Sequence, residues 1–134
     1  MQLLNKDTDY AIRAMMALVD KEDYISAKQM SEEQSIPYQF LRRILQKLIK
    51  HNLIESREGF GGGVKLIVDP VNLTVKNIIE FFQGPVTLST CLFRNQICSN
   101  KENCVLRSEI LRIESLVQNE FDNITIQSLV DKLK

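Results

Sequence analysis

Residues 35–51 read SIPYQFLRRILQKLIKH, and the fold can be worked out from this stretch. Pro37 disfavours helical backbone at the residue before it but is well tolerated in the first turn of a helix. One helix therefore ends near Gln34, and the next runs from about Pro37 to His51. The second helix has an apolar stripe at helical spacing, made of Leu41, Ile44, Leu45 and Leu48. Two helices joined by a tight break, the second one basic and amphipathic, predict a helix-turn-helix.

Two helices are predicted before the break. Thr8 is a candidate N-cap for a first helix that runs to about Asp20. Asp9 lies in its first turn, where the helix dipole favours a carboxylate. Residues 26–29 read SAKQ, which is a capping box and predicts that a short second helix begins at Ala27.

A hairpin is predicted after the third helix. Leu53 to Arg57 and Val64 to Val68 have the composition and alternation of short strands, and the residues between them read EGFGGG. This glycine run lacks the Lys-Ser/Thr of a phosphate-binding P-loop and does not open a helix. We interpret it as the tip of a wing, where glycine allows positive φ and close approach to a sugar-phosphate chain. A merely flexible turn is the alternative.

The remaining chain predicts three further helices. Thr74 is a candidate cap for a fourth helix that Gly84 closes. Between Val105 and about Glu120, apolar residues recur at the coiled-coil spacings of 4, 3 and 4, namely Leu106, Ile110, Ile113 and Val117. We interpret this segment as a dimerisation helix, with packing onto its own domain as the alternative. A last short helix is predicted from Thr125.

These elements predict a mainly α fold, a winged helix-turn-helix with a small β-hairpin wing and a long C-terminal dimerisation helix. Residues 1–70 would form the DNA-binding domain, 71–104 a linking helix and a cysteine loop, and 105–134 the dimerisation helix and the C-terminal helix. A chain of 134 residues, 44% of them apolar, can build a core of this size.

Positive charge is concentrated on the third helix and the hairpin. The whole chain has 17 basic and 17 acidic residues and a formal net charge of zero, so no global field attracts nucleic acid or membrane. Residues 36–65, in contrast, hold six basic and two acidic side chains. Arginine pairs bidentately with guanine and glutamine with adenine, while nearby cations hold phosphates. The candidate DNA-binding residues are Ser26, Lys28, Tyr38, Gln39, Arg42, Arg43, Lys47, Arg57, Phe60, Gly61, Gly62 and Lys65. A solvated basic face is the alternative.

Cys91, Cys98 and Cys104 are the only cysteines, and they lie within fourteen residues at the spacing C-x6-C-x5-C. Thiolates bind soft or borderline metals and iron-sulfur clusters, whereas a disulfide framework would need an even count in a secreted chain. We therefore expect a metal or cluster site. Three ordinary thiols, with one pair oxidised, are the alternative.

Other function classes find little support in the sequence. The N-terminus lacks the apolar core of a signal peptide, and no apolar run approaches the roughly 20 residues of a membrane helix, so we expect a cytoplasmic protein without a membrane partner. The single histidine, His51, stands at a helix end, where a favourable C-terminal charge is its usual role. No catalytic triad or acid/base pair is evident, and we expect no enzymatic activity.

Taken in order, four features resemble the Rrf2 family of winged-helix transcriptional regulators. They are TDYAIR at 8–13, IPYQFL at 36–41, NLIESR at 52–57 followed by three glycines at 61–63, and the three cysteines. The cysteines are similar to those of the iron-sulfur subset of the family, the IscR and NsrR kind. This resemblance implies a homodimer on a palindromic operator in double-stranded DNA, with long helices that cross and a cluster near each DNA-binding domain.

The resemblance also implies roles for single residues. Cys91, Cys98 and Cys104 match the cluster ligands, Tyr38 to Arg43 the recognition helix, and Arg57 to Gly63 the wing. The first cysteine gap is one residue longer than the family's usual five.

The fourth cluster ligand differs between the two kinds of relative. IscR-like members have a histidine three residues after the last cysteine, where this chain has Arg107. In NsrR-like members an aspartate from the partner's first helix completes a four-iron cluster, and Asp9 stands at the matching position. A four-iron cluster is therefore favoured over a two-iron cluster.

The expected function is a DNA-binding regulator that senses iron supply, oxygen or nitric oxide through its cluster. Two alternatives stay open at this point. One is a winged-helix regulator that uses zinc or thiol oxidation at the same cysteines. The other is a small iron-sulfur carrier or electron-transfer protein, for which the basic helix and the wing would have no purpose.

Overall fold

The computed structural model describes residues 3–88 and 105–134, and the predicted fold class is confirmed over these ranges. The elements are α1 (Lys6–Leu18), α2 (Ala27–Gln34), α3 (Tyr38–Lys50), β1 (Ile54–Arg57), β2 (Gly63–Leu66), α4 (Val75–Gln83), α5 (Val105–Asp122) and α6 (Ile126–Asp131). Helices α2 and α3 form the helix-turn-helix, and β1 and β2 with the turn between them form the hairpin that we call the wing. Cys91, Cys98 and Cys104 lie outside the described residues.

Helix α1 begins three residues earlier than its sequence predicts. Its N-cap is Asn5, whose side chain accepts a hydrogen bond from the Thr8 N–H at 2.8 Å. The prediction of Thr8 as the cap is therefore wrong. Thr8 is buried inside the helix, and its Oγ1 lies 2.7 Å from Oε1 of Gln83 at the end of α4. The hydroxyl thus joins two helices that are distant in sequence. The helix also ends at Leu18 rather than near Asp20.

The helix-turn-helix forms almost where the sequence predicts it. Ser26 caps α2 by accepting from the Gln29 N–H at 3.1 Å, but the Gln29 side chain donates to Glu33 instead of returning to the cap. In the turn, Ser35 adopts a left-handed conformation with φ of 54°. The Ser31 hydroxyl donates to the Ile36 carbonyl at 2.6 Å and so closes the turn.

The wing is a two-stranded antiparallel sheet in which Ile54 lies opposite Leu66 and Arg57 opposite Gly63. Both strands are one residue shorter than predicted, and β2 begins one residue earlier and ends two residues earlier than the sequence indicates. A contact that the sequence did not indicate joins the wing to the segment before α2. Ile25 and Val64 exchange backbone hydrogen bonds of 2.9 and 2.8 Å on the free edge of β2.

The C-terminal helix returns to the same core as the N-terminal helices. The predictions that Thr74 caps α4 and that Gly84 closes it are confirmed. Asn77 completes a reciprocal capping box with Thr74, which the sequence analysis did not predict. An isolated bridge between Thr74 and Thr125 joins the N-terminal ends of α4 and α6, and α6 packs against α1. Ile126 is fully buried in the core that also contains residues of α1 and α3. The domain boundaries at residues 70 and 104 stay a prediction.

Helix α5 has one covered side and one exposed side. On the covered side, the Gln118 amide donates to the Val86 carbonyl at 2.9 Å, and the Glu114 carboxylate accepts from the Leu88 N–H at 3.1 Å. The exposed apolar side chains include Leu106, Ile113 and Leu116. Dimerisation through this helix stays a prediction. Among the described helices, none is long and apolar enough to cross a membrane.

Candidate DNA-binding surface

Helix α3 has one face in the core and the other in solvent. Its inner face consists of Leu41, Ile44, Leu45 and Leu48, all of them buried. This packing fixes the rotation of the helix, so the polar side chains are held outward rather than free to exchange faces. On that outer face, Gln39, Arg42, Arg43 and Gln46 are exposed and, together with Tyr38, line a hollow of about 390 Å³.

Arg42 and Arg43 are both exposed, but their surroundings differ. The Arg42 guanidinium carbon lies 5.8 Å from the centre of the Tyr38 ring. No carboxylate of the described residues lies within ion-pair distance of Arg42. Arg43, in contrast, donates from Nη2 to Oδ1 of Asp7 at 2.7 Å, which joins α3 to the first turn of α1. Of these two arginines, Arg42 is therefore the one whose positive charge no nearby carboxylate in the described part of the chain compensates.

A second hollow lies beside the C-terminal half of α3. It measures about 460 Å³ and lies between α1, α3 and α4. Its lining residues are Asp7, Arg43, Ile44, Gln46, Lys47, Lys50 and Phe82. We call it the basic cleft. Lys47 Nζ lies 5.0 Å from the centre of the Phe82 ring, so an aromatic face supports this cation at the cleft wall.

The ring of His51 stacks on Phe81 at 4.4 Å with an interplanar angle of 20°. His51 is the C-cap residue of α3, and Phe81 belongs to α4. The histidine thus takes part in packing the end of α3 against α4.

The tip of the wing depends on its glycines. Gly61 has a φ of +74°, and the N–H of Gly62 donates to the Gly59 carbonyl at 3.0 Å. A Cβ on Gly62 would lie 2.2 Å from the Arg57 carbonyl oxygen, so no larger residue fits without a backbone shift. Phe60 is fully exposed at this tip. The backbone and one aromatic ring are therefore what the tip can offer to a ligand.

Tyr24 organises the base of the wing, although no sequence pattern indicated it. Its ring centre lies 5.6 Å from the Arg57 guanidinium and 5.9 Å from Lys65 Nζ, so both predicted wing cations lie next to one aromatic ring. Its hydroxyl donates to Oε1 of Glu55 at 2.7 Å. This hydrogen bond raises the pKa of Tyr24 above its ordinary value, since the carboxylate stabilises the protonated phenol.

Helix α2 contributes the other predicted residues. The Ser26 hydroxyl is used as the helix cap, while Lys28 is exposed and lines a hollow of about 430 Å³ with Ser31, Glu32 and Tyr38. Tyr38 also borders the hollow that contains Arg42. The side chains predicted on α2 and on α3 therefore adjoin each other.

Of the predicted metal ligands, Asp9 lies within the described residues. Asp9 is exposed on α1, with Oδ2 3.7 Å from Nε of Arg13 and a side-chain exposure of 58%. It is thus open to a ligand from outside its own chain. Within residues 3–88 and 105–134, no group of three or more His, Cys, Asp or Glu side chains could hold a metal ion.

Comparison with known proteins assigns the fold to one family. The Rrf2 family, described as an iron-dependent transcriptional regulator, matches residues 4–132. The chain is 25% identical over 130 residues to the regulator NsrR of Shouchella clausii, covering 95% of this chain and 87% of that protein. It is 26% identical over 123 residues to IscR of Vibrio campbellii, covering 90% and 73%.

Solved structures show the same fold. CymR of B. subtilis, described as a global cysteine regulator, matches with a TM-score of 0.82 and 22% identity over 98% of both chains. IscR of T. potens matches with a TM-score of 0.78 and 21% identity, covering 98% of this chain and 88% of that one.

Proposed function

Because this chain belongs to the Rrf2 family of transcriptional regulators, we propose that it binds a palindromic operator as a homodimer and holds an iron-sulfur cluster on its three cysteines. Its curated relatives are transcriptional regulators rather than enzymes. Double-stranded DNA is accordingly its macromolecular partner.

The observation that carries the DNA-binding proposal is the exposed, carboxylate-free Arg42 on a helix whose rotation is fixed by a buried face. Arg42 and its neighbour Gln39 have the donor geometry for guanine and adenine in the major groove. Lys47, Arg57 and Lys65 supply charge for phosphates on either side. At the wing tip, Phe60, Gly61 and Gly62 allow a close approach to the edge of a groove.

The proposal of a homodimer is supported by the exposed side of α5. Leu106 is 66% exposed and Leu116 53% exposed, although both belong to a helix of 18 residues that has its other side covered. Apolar side chains at coiled-coil spacing on such a helix are suited to a second copy of it. Two copies present two recognition helices, which matches the two-fold symmetry of a palindromic operator.

The donor set suits an iron-sulfur cluster. Three thiolates from Cys91, Cys98 and Cys104, and the exposed Asp9 carboxylate of the partner subunit, provide four ligands of the kinds that iron accepts. When bound, a cluster would supply a site that oxygen, nitric oxide or iron shortage can degrade.

The cysteine-bearing segment is also anchored near both ends. Before it, Leu88 is tied to α5 through Glu114; after it, Val105 begins the same helix. We propose that this segment sets the position of α5 relative to the winged helix, and thereby the distance between the two recognition helices of the dimer. A change of that distance would mismatch the two half-sites.

A second candidate sensor uses the same cysteines without a cluster. It is favoured by the similarity to CymR, which is described as a global cysteine regulator. In that case the thiols would bind zinc or change their oxidation state. The third possibility raised by the sequence, a small cluster carrier, does not fit a family of transcriptional regulators.

Anaerobic purification from iron-replete cells distinguishes the two sensors. We expect brown protein that contains iron and acid-labile sulfide. Cys98→Ala should lose the iron yet remain a folded dimer, because the hydrophobic core of the described residues is built without a cysteine. Asp9→Ala should make the cluster labile, whereas Asp20→Ala, at the other end of α1, should not. Colourless protein loaded with zinc would contradict the cluster and favour the second candidate.

The DNA-binding proposal is tested by selection from a random duplex library. We expect the wild-type protein to enrich an inverted repeat whose half-sites are about one helical turn apart, or a multiple of that distance. Failure to enrich any sequence from either the iron-containing or the iron-free protein would contradict it.

A further inference from the structure

Asp7 forms the closest contact that any carboxylate of the described residues makes with a cation on α3. We propose that Asp7 lowers the affinity of this protein for non-operator DNA by occupying Arg43, and so acts as a specificity-determining residue. This inference rests on the proposed DNA-binding function.

The geometry of the pair is that of a charge-assisted hydrogen bond. Arg43 Nη2 lies 2.7 Å from Asp7 Oδ1, and the Arg43 guanidinium lies 5.2 Å from the centre of the Phe40 ring. Phe40 and Asp7 thus hold the guanidinium from two directions. The side chains are 57% and 38% exposed, so the pair lies at the surface where DNA would approach.

Folding has little need of this pair. Ion pairs at such exposure contribute little to stability because water screens them and ordering the side chains costs entropy. The four buried apolar residues of α3 fix the helix without it. An acid in the first turn of α1 is moreover stabilised by the helix dipole, so Asp7 does not depend on Arg43.

Near DNA the same pair has a larger consequence. Each cation that meets a phosphate releases a condensed counterion and steepens the salt dependence of binding. If Arg43 stays on Asp7, its charge is already neutralised. If Arg43 moves to a phosphate, the Asp7 carboxylate is left beside a polyanion. In both cases the free energy of DNA binding is less favourable than it would be with an unpaired arginine at this position.

Arg43 and Asp7 both line the basic cleft with Lys47 and Lys50. Without the Asp7 charge, the cleft would present three cations and Phe82. Such a surface would bind DNA of any sequence with similar affinity. Since a regulator must find its operator among a large excess of non-specific sites, a carboxylate at this place raises the ratio of specific to non-specific binding.

The test compares Asp7→Asn with wild type on a labelled random-sequence duplex of about 25 base pairs, in a salt series followed by fluorescence anisotropy. We expect the variant to bind roughly threefold to tenfold more tightly at low salt and its log-log salt slope to steepen by about 0.9. The matched control is Asp20→Asn, which also removes one exposed carboxylate with an ion-pair partner, Lys134. Asp20 lies just after the C-terminal end of α1, roughly 20 Å from Asp7 and beyond the Debye length of about 8 Å, so Asp20→Asn should bind DNA as wild type does.

The role of Arg43 is tested in the Arg43→Ala background. Asp7→Asn should have a clearly smaller effect there, because the arginine that it releases is absent and only the repulsion between Asp7 and phosphate is removed. An equal gain in both backgrounds would show that Asp7 acts as a simple repulsive charge and would overturn the mechanism. Binding by wild type with no gain in Asp7→Asn would overturn this inference alone. Absence of DNA binding by wild type would overturn the proposed function, and with it this inference.

Discussion

Helix α3 and the wing carry the candidate DNA contacts on very different supports. In α3, four buried apolar residues hold the outward side chains in fixed positions. In the wing, residues 55–61 are all exposed, and the hairpin is held only at its base, by the buried side chains of Ile54 and Val64 and by the backbone bonds between Val64 and Ile25, while glycine conformations shape its tip. Reading base edges requires donors in fixed positions, whereas holding phosphates requires only charge within reach. The difference therefore assigns sequence reading to α3 and positioning to the wing.

The largest effect is expected where the wing meets the body of the protein. Gly63 has a φ of +149°, and a Cβ there would lie 2.2 Å from the Ile25 carbonyl oxygen. Gly63→Ala should therefore break the Ile25 to Val64 pairing and lower the free energy of unfolding by roughly 3 kcal/mol. Urea unfolding followed by circular dichroism measures this loss.

Gly59→Ala is the matched control for Gly63→Ala. Gly59 has a φ of +90°, but a Cβ would meet no atom within 4 Å. The free energy of unfolding of Gly59→Ala should fall by only about 1–2 kcal/mol, which is the conformational strain of alanine at a positive φ. Equal losses in the two variants would mean that the close approach to Ile25 contributes nothing, and that the wing is attached less firmly than the backbone bonds suggest.

The next effect tests base reading by α3. Arg42→Ala should cost roughly 1–3 kcal/mol of binding free energy on the selected operator and relax the preference at one base pair. Arg42→Lys keeps the charge but loses the bidentate geometry, so it should relax the preference while largely retaining affinity for random DNA. Selection from a random library with each variant measures both. If both variants selected the wild-type sequence, α3 would not be the reader and the contrast with the wing would fail.

The features that the sequence predicted correctly depend on neighbouring residues. The proline break, the apolar stripe and the glycine run each produce their structure within a few positions, so α2, α3 and the wing lie within two residues of their predicted bounds. The cysteine spacing is a local signal in the same sense, although it lies outside the described residues.

The features that the sequence missed depend on distant residues. Thr8 was a reasonable cap by type, but its hydroxyl meets Gln83, 75 positions away. Arg43 looked equivalent to Arg42 because both face outward, and only the fold brings Asp7 to one of them, 36 positions away. Tyr24 stands in a segment without periodicity, and no pattern connects it with Arg57 and Lys65. Pairings of this kind need the tertiary structure.

A smaller effect tests the positioning role of the wing. Lys65→Ala should weaken binding to operator and random duplex alike and flatten the log-log salt slope by about 0.9, since a phosphate contact carries charge but no sequence information. Lys134→Ala removes the same charge from the C-terminus, where Lys134 pairs with Asp20, and should leave the slope unchanged. A loss confined to the operator would instead make the wing a reader of sequence.

The smallest effect concerns Tyr24, which joins the two cations of the wing. Tyr24→Phe keeps the ring face and should leave the salt slope unchanged, whereas Tyr24→Leu removes the face and should weaken DNA binding by roughly twofold. The Glu55 hydrogen bond raises the pKa of Tyr24, so the folded state binds the phenolic proton more tightly than the unfolded state does. Its contribution to stability is therefore complete below the ordinary tyrosine pKa and is lost as pH rises through the raised value.

The same hydrogen bond can be tested without DNA. Subtracting the phenolate absorbance titration of Tyr24→Phe from that of wild type isolates Tyr24, and Glu55→Gln should move its midpoint down toward the ordinary value, because the neutral amide stabilises the protonated phenol less than a carboxylate does. An unchanged midpoint would mean that Glu55 does not hold the tyrosine. In that case Arg57 and Lys65 would lack a fixed support, and the wing would differ from α3 even more than the contacts of Tyr24 indicate.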